Sequence, residues 1–177
     1  MSDLDALNLV LFALRVVIGV TFVVHGYNKV KNGLAGTAGW FESLGMRPPM
    51  LHARAAASTE IGCGVLLVLG LLTSFAAAGI VGTMLVAWVI AHRKNGFLIF
   101  LPGGGWEYVF VLLFVGITIA TIGPGQWSLD DAFGIMDDLT GTTGLLISLA
   151  GLVVGAVLLA VCWKPAPAEP AADPAGA

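Results

Sequence analysis

Long apolar runs separated by short polar segments dominate the chain. Five of these runs approach or exceed the roughly 20 residues that an α-helix needs to cross a bilayer. They are 6–27, 53–71, 74–92, 105–122 and 144–163. Helices are favoured over a membrane barrel, because a spanning segment must satisfy its own backbone groups and the runs lack strict apolar/polar alternation. The pattern therefore predicts an all-α membrane protein with five transmembrane helices.

The composition agrees with this class and narrows the chemistry. Of the 177 residues, 58% are hydrophobic and 11% are charged. The net charge of −3 gives no support to nucleic-acid binding. Asp3 and Asp5 stand where a secretory signal would carry basic residues, so the first run is predicted to be retained. Cys63 and Cys162 lie inside apolar runs without a CxxC pattern, which favours core packing over a disulfide, a redox dithiol or a metal site.

Apart from Arg15, the basic residues are confined to one set of connections. Those in or beside the loops after the first and third runs, or just after the fifth, are Lys29, Lys31, Arg47, Arg54, Arg93, Lys94 and Lys164. The N-terminus and the loop after the fourth run carry only acidic residues, namely Asp3, Asp5, Asp130, Asp131, Asp137 and Asp138. By the positive-inside rule, this asymmetry predicts an N-terminus outside the cell and a cytoplasmic C-terminus.

Arg15 stands near the middle of the first run, where a charge costs roughly 2.5–3.5 kcal/mol on insertion scales. We therefore expect it to face the bundle interior and to pair with a carboxylate. Counting the helical rise places Glu60 at a similar depth, which predicts an Arg15–Glu60 ion pair. The predicted ion network and pocket comprise Arg15, His25, Lys29, Glu60, His92 and Glu107.

Two interpretations of this network stay open. In one, the ion network only fixes the register of the helices. In the other, it lines a pocket or proton path that opens on the inner leaflet, with His25 or His92 titrating near neutral pH. The number of ionisable groups exceeds what register requires, which favours the second interpretation. No metal site is predicted.

Small residues recur at helix-packing spacings. Candidates for close helix contact in the first two runs are Gly19, Gly26, Gly62 and Gly64, and those in the fifth are Gly144, Ser148, Gly151 and Gly155. The fifth run has no ionisable group, so its stripe suits packing within the chain or a homo-oligomer.

Several segments, in this order and spacing, resemble the DoxX family of small bacterial membrane proteins. They are RVVIGVTFVVHGYNK, EIGCGVLLVLGLLT, AHRKNGF, GGWE and GPGQWSLD. The resemblance implies a four-transmembrane-helix bundle over 1–130, to which this chain adds an acidic extracytoplasmic loop (131–143), a fifth transmembrane helix (144–163) and a Pro/Ala-rich cytoplasmic tail (164–177), predicted to be disordered. It also marks the loop motif Gly123, Pro124, Gly125 and Asp130.

The resemblance further implies membrane redox chemistry in a bacterial plasma membrane. Family members are associated with thiosulfate:quinone oxidoreductase and with enzymes that handle oxidative and thiol stress. We therefore expect a membrane subunit of a redox assembly whose charged pocket binds a quinone or a comparable small polar molecule. Whether the chain is itself an enzyme or an accessory subunit of a quinone-linked oxidoreductase stays open. The alternatives are a non-catalytic scaffold that recruits redox or stress-defence enzymes, and a small transporter.

Overall fold

The computed structural model describes residues 1–165, and over this range the chain is helical, without a β-strand. In chain order the helices are α1 (Asp3–Lys31), α2 (Leu34–Ser43), α3 (Pro49–Leu69), α4 (Thr73–Ala87), a π-helical turn (Trp88–His92) that continues α4, α5 (Glu107–Ile122), α6 (Leu129–Ala132), α7 (Met136–Leu139) and α8 (Gly141–Cys162). Most of the tail predicted to be disordered, from residue 166 onward, lies outside the described residues.

Three helical segments are long and apolar enough to cross a membrane. They are α1 with 29 residues, α4 with its π-helical turn (Thr73–His92) with 20, and α8 with 22. The 16-residue α5 is apolar but shorter. The prediction of an all-α membrane bundle is confirmed.

Glycines on α1 and α3 bring these two helices into close contact. A Cβ atom at Gly19 would lie 2.5 Å from the carbonyl oxygen of Gly64, and one at Gly64 would lie 2.6 Å from that of Gly19. Two turns further along α1, a Cβ atom at Gly26 would lie 3.0 Å from the Cβ of Glu60. Gly62 differs, because nothing lies within 4 Å of its Cβ position and it is exposed. Including Gly62 among the packing glycines was therefore wrong.

The small-residue stripe of α8 packs inside the chain. A Cβ atom at Gly151 would lie 2.3 Å from the carbonyl oxygen of Ala78, and one at Gly155 would lie 3.0 Å from that of Gly82, both on α4. Gly144 approaches the backbone of α5 in the same way, and Ser148 is fully buried. An oligomer built on this stripe would have to displace α4, so the stripe offers no free surface for self-association.

The C-terminal end of α8 is tied to the loop between α2 and α3. Met46 and Trp163 form an isolated antiparallel bridge, and the indole Nε1 of Trp163 donates a hydrogen bond to the Leu44 carbonyl oxygen at 2.9 Å. Arg93 lies over the Trp163 ring, 4.9 Å from its centroid. These contacts hold α8 against the rest of the bundle at the end that carries the basic loops, here called the basic end. The opposite end, with Asp3 and the loop after α5, is the acidic end.

Candidate functional site

Arg15 is fully buried, but its partners are carbonyl oxygens at the acidic end of the bundle. Its Nε donates to the Pro124 oxygen at 3.1 Å, its Nη1 to the Leu67 oxygen at 3.0 Å and its Nη2 to the Trp127 oxygen at 2.6 Å. Glu60 is not among these partners. The predicted Arg15–Glu60 ion pair is therefore wrong.

The direction of the Arg15 side chain explains the error. Side chains of a helix lean toward its N-terminus, so Arg15 points toward the acidic end. There it meets the C-terminus of the antiparallel α3, whose last carbonyls have no partner inside the helix and carry the negative end of its dipole. Glu60 lies seven residues before Leu67, or about 10 Å back along the axis of α3. Equal depth was therefore a poor guide to pairing.

Asp130 belongs to the same acidic end. It is fully buried, and its carboxylate accepts hydrogen bonds from the backbone N–H groups of Leu72 at 2.7 Å and Thr73 at 2.9 Å. Its own N–H donates to the Gly70 carbonyl oxygen at 2.8 Å. Asp130 thus caps the N-terminus of α4 from a distant loop, where a negative charge is favoured by the helix dipole.

The loop motif around Pro124 folds back over α1. Gly123 and Gly125 have φ angles of 94° and 78°, which glycine adopts at little cost. Asn8 makes two hydrogen bonds to Gln126. Its amide nitrogen donates to Gln126 Oε1 at 3.0 Å, and its Oδ1 accepts from the Gln126 N–H at 2.9 Å. The motif therefore closes the acidic end and places the Pro124 carbonyl on Arg15.

Glu60 instead pairs with Lys29 toward the basic end. The Nζ of Lys29 lies 2.6 Å from Oε1 and 2.5 Å from Oε2 of Glu60. The two side chains are only 20% and 9% exposed, respectively. The close approach of α3 at Gly26, one turn before Lys29, puts the carboxylate within reach of the ammonium group.

A cavity of about 640 Å³ lies against this ion pair. Its polar lining brings together four residues of the predicted network with four others. They are His25, Lys29, Glu60 and His92, with His52, Thr59, Thr83 and Tyr108. The remaining lining is largely apolar and comes from α2, α3, α4, α5 and α8. Arg15 and Glu107 do not line it. The single network predicted from the sequence is thus divided. Arg15 hydrogen-bonds to carbonyl oxygens at the acidic end, and His25, Lys29, Glu60 and His92 line a cavity nearer the basic end.

Glu107 has a local role at the start of α5. Its Oε1 accepts a hydrogen bond from the Ile99 N–H at 3.0 Å, which holds the loop that precedes α5. In the same region, Nδ1 of His92 lies 3.2 Å from the Gly104 carbonyl oxygen. That contact is a hydrogen bond in the tautomer with a proton on Nδ1, which leaves Nε2 of His92 able to accept one. The π-helical turn, a feature frequent at functional sites, ends at His92.

Tyr108 and His52 are the ionisable cavity residues that the sequence reasoning missed. The ring of Tyr108 stacks on that of His25 at 6.4 Å between centroids and 28° between planes. Ionisable groups inside apolar runs stand out in the sequence, whereas a tyrosine one residue after Glu107 does not. A second span that begins at residue 53 leaves His52 in the preceding loop, but α3 begins four residues earlier, at Pro49.

Comparison with known proteins identifies the family. The DoxX family model matches residues 10–93. "Putative oxidoreductase CatD" of Bacillus subtilis is 32% identical over 117 residues, which cover 66% of this chain and 81% of that protein. The chain belongs to the DoxX family. "Uncharacterized membrane protein Rv3486" of Mycobacterium tuberculosis is 31% identical over 127 residues, with 66% of this chain and 77% of that protein covered. No solved structure matches the chain significantly.

The DoxX match divides the cavity into two parts. Residues 10–93 contain His25, both members of the Lys29–Glu60 pair, and His92. Tyr108 and the wall formed by α8 lie beyond the match. The charged end of the cavity is therefore built on the part of the chain that resembles the DoxX family model.

Proposed function

We propose that this DoxX-family chain is a membrane subunit of a redox assembly and binds a quinone head group, or a comparable small polar molecule, in the cavity beside Lys29 and Glu60. One observation carries the proposal, namely that a single apolar cavity contains an ion pair, histidines and a tyrosine at one side. Ligand sites are commonly mostly apolar hollows of about 300–1,000 Å³ with a few convergent polar groups. The cavity matches that description in volume and lining.

The polar groups suit a ring with carbonyl oxygens. Lys29 and the Tyr108 hydroxyl donate hydrogen bonds to these oxygens, and the His25–Tyr108 stack offers a flat surface to the ring. Reduction of a quinone to a quinol takes up two electrons and two protons. Glu60, linked to the basic end through Lys29, delivers the protons, and a partner protein delivers the electrons.

Two further observations support this reading. The name of the Bacillus subtilis relative describes an oxidoreductase. The basic loops all lie at the end of the bundle where the cavity has its charged groups, so by the positive-inside rule we expect this end on the cytoplasmic side of a bacterial plasma membrane. In that orientation the N-terminus is outside and the described C-terminal end of α8 is inside.

Analysis of co-purified small molecules tests the proposal. The protein is purified in nanodiscs cut directly from its native membrane, and the bound molecules are extracted and identified by mass spectrometry. We expect a quinone-like molecule to be enriched over the bulk lipid. The amount bound should fall at least several-fold in the Glu60→Gln variant but not in the Glu42→Gln variant, whose carboxylate is outside the cavity. Absence of such a molecule, together with unchanged quinone reduction in membranes that lack the protein, would reject it.

A further inference from the structure

Three helices each turn one face of mostly small side chains toward the cavity. The positions on α4 include Phe75, Ala78, Gly79, Gly82, Thr83 and Ala87, those on α8 include Ile147, Ala150, Gly151, Val154 and Gly155, and those on α3 include Ala55, Ala56 and Thr59. Steps of three and four residues keep each set on one helical face. The cavity therefore follows the helices along their length, with α4 as its floor and with α3 and α8 as its walls.

The cavity is a long slot. On the floor helix its lining runs from Phe75 to Ile90, which at 1.5 Å per residue corresponds to about 22 Å. This length is most of the roughly 30 Å thickness of a hydrocarbon core. Most of the polar side chains that line the slot lie toward its basic end, among them His25, Lys29 and Glu60.

The lining of the slot indicates its occupant. The slot is mostly apolar along its length and carries charged groups at Lys29 and Glu60. This arrangement complements a molecule with one polar head and an apolar tail. The slot therefore suits an alkyl or isoprenoid chain attached to a polar head.

The slot is open sideways. Ala55 on α3, Phe75 on α4, and Ala150 and Val154 on α8 line the cavity yet are exposed. In a transmembrane bundle, a side opening at this level faces acyl chains. A chain-bearing ligand can therefore pass between the bilayer and the slot without crossing the loops at either end.

We propose that the slot between α3 and α8 holds the apolar tail of a single-chain membrane amphiphile, which enters from the bilayer with its polar head at Lys29 and Glu60. This inference rests on the proposed function and adds the ligand's tail and route. It also gives α8 a role in ligand selection, because α8 lies beyond the DoxX match and forms one wall of the slot.

Two probes with the same head group separate the tail from the head. They are 2,3-dimethoxy-5-methyl-1,4-benzoquinone with a decyl chain at position 6, and the same compound without the chain. Binding to the full chain in nanodiscs is measured for both probes, and the concentration of the decyl probe is given as its molar ratio to lipid. Ala150→Trp fills the slot from its wall, and Ala156→Trp, on an exposed part of α8 outside the cavity lining, is the matched control.

We expect Ala150→Trp to weaken binding of the decyl probe by at least about tenfold, since displacing about two methylenes of the chain from the apolar slot is enough for that loss. Binding of the chainless probe should change by less than about twofold, and Ala156→Trp should affect neither. If Ala150→Trp does not fold, Ala55→Trp on the opposite wall gives the same test. Equal effects on the two probes, or none, would overturn the slot inference alone. Failure of both probes to bind the unaltered protein above empty nanodiscs would overturn the slot and the proposed function together.

Discussion

Lys29 contacts both carboxylate oxygens of Glu60, at 2.6 and 2.5 Å, within a region where the two side chains are mostly withdrawn from solvent. The pair joins α1 to α3 and forms the charged side of the cavity. A charged group left there without its partner would have little compensation, since within residues 1–165 the Lys29 and Glu60 side chains hydrogen-bond only to each other. This coupling leads to the first prediction.

Neutralising one member of the pair should destabilise the fold more than neutralising both. We expect Lys29→Met and Glu60→Gln each to lower the free energy of unfolding in detergent, with a coupling of about 1–3 kcal/mol in the double-mutant cycle. The exposed Arg47–Glu42 pair, at 2.8 Å with 60% and 50% exposure, is the control and should show coupling of about 0–1 kcal/mol. Equal couplings for the two pairs would contradict the assigned role of Lys29.

Arg15 and Glu60 should behave independently, because they lie in different parts of the bundle. We expect the stability losses of Arg15→Gln and Glu60→Gln to add within about 0.5 kcal/mol, as is usual for separate sites. The Arg15 variant alone should be strongly destabilised, since it leaves the carbonyls of Leu67, Pro124 and Trp127 without their charged donor. If thermal unfolding showed the double variant to be more stable than either single variant, that result would support an Arg15–Glu60 ion pair and contradict the structure.

The capping of α4 by Asp130 gives a third test. Asp130→Asn removes the negative charge from the two N–H groups at the start of the helix, so we expect a loss of about 1–2 kcal/mol in the free energy of unfolding. Asp138→Asn is the matched control, because Asp138 is exposed in the same acidic loop. Unfolding by denaturant checks both variants. An equal loss in the two would show that the charge of the loop matters and the cap does not.

Gly64 and Gly62 form a natural pair for comparison on α3. We expect Gly64→Ala to destabilise the bundle, since its Cβ would lie 2.6 Å from a backbone oxygen of α1. Gly62→Ala should instead stabilise it by about 0.5–1 kcal/mol, because alanine is the better helix former and the site is open. Melting temperatures of the two variants provide the measurement. A stabilising Gly64→Ala would mean that α1 and α3 are not in close contact there.

The sequence predicted the elements of this fold better than the contacts between ionisable groups. Apolar runs alone indicated the long helices, because length and hydropathy are local properties of the chain. The partner of Arg15 depended on which way its side chain leans and on a loop more than 100 residues away. Neither is visible in helical spacing, and carbonyl acceptors leave no signal in residue type.

The same limit explains why only some of the cavity residues could be predicted from the sequence. His25, Lys29, Glu60 and His92 could be singled out because ionisable residues are rare in apolar runs. Tyr108 could not, since a tyrosine near a span end is commonly interpreted as an interfacial anchor. Its contact with His25 arises only when α1 and α5 come together at the basic end.

Mapping a photoreactive quinone on the protein tests the central claim most directly. The probe carries an azide on the quinone ring, the full chain is irradiated in nanodiscs, and labelled residues are identified by mass spectrometry with and without an excess of the decyl benzoquinone. The account predicts competed labelling close to His25, Glu60 and Tyr108. Labelling confined to the loop around Pro124 and Asp130, or labelling near the Lys29–Glu60 pair that the competitor does not reduce, would contradict it.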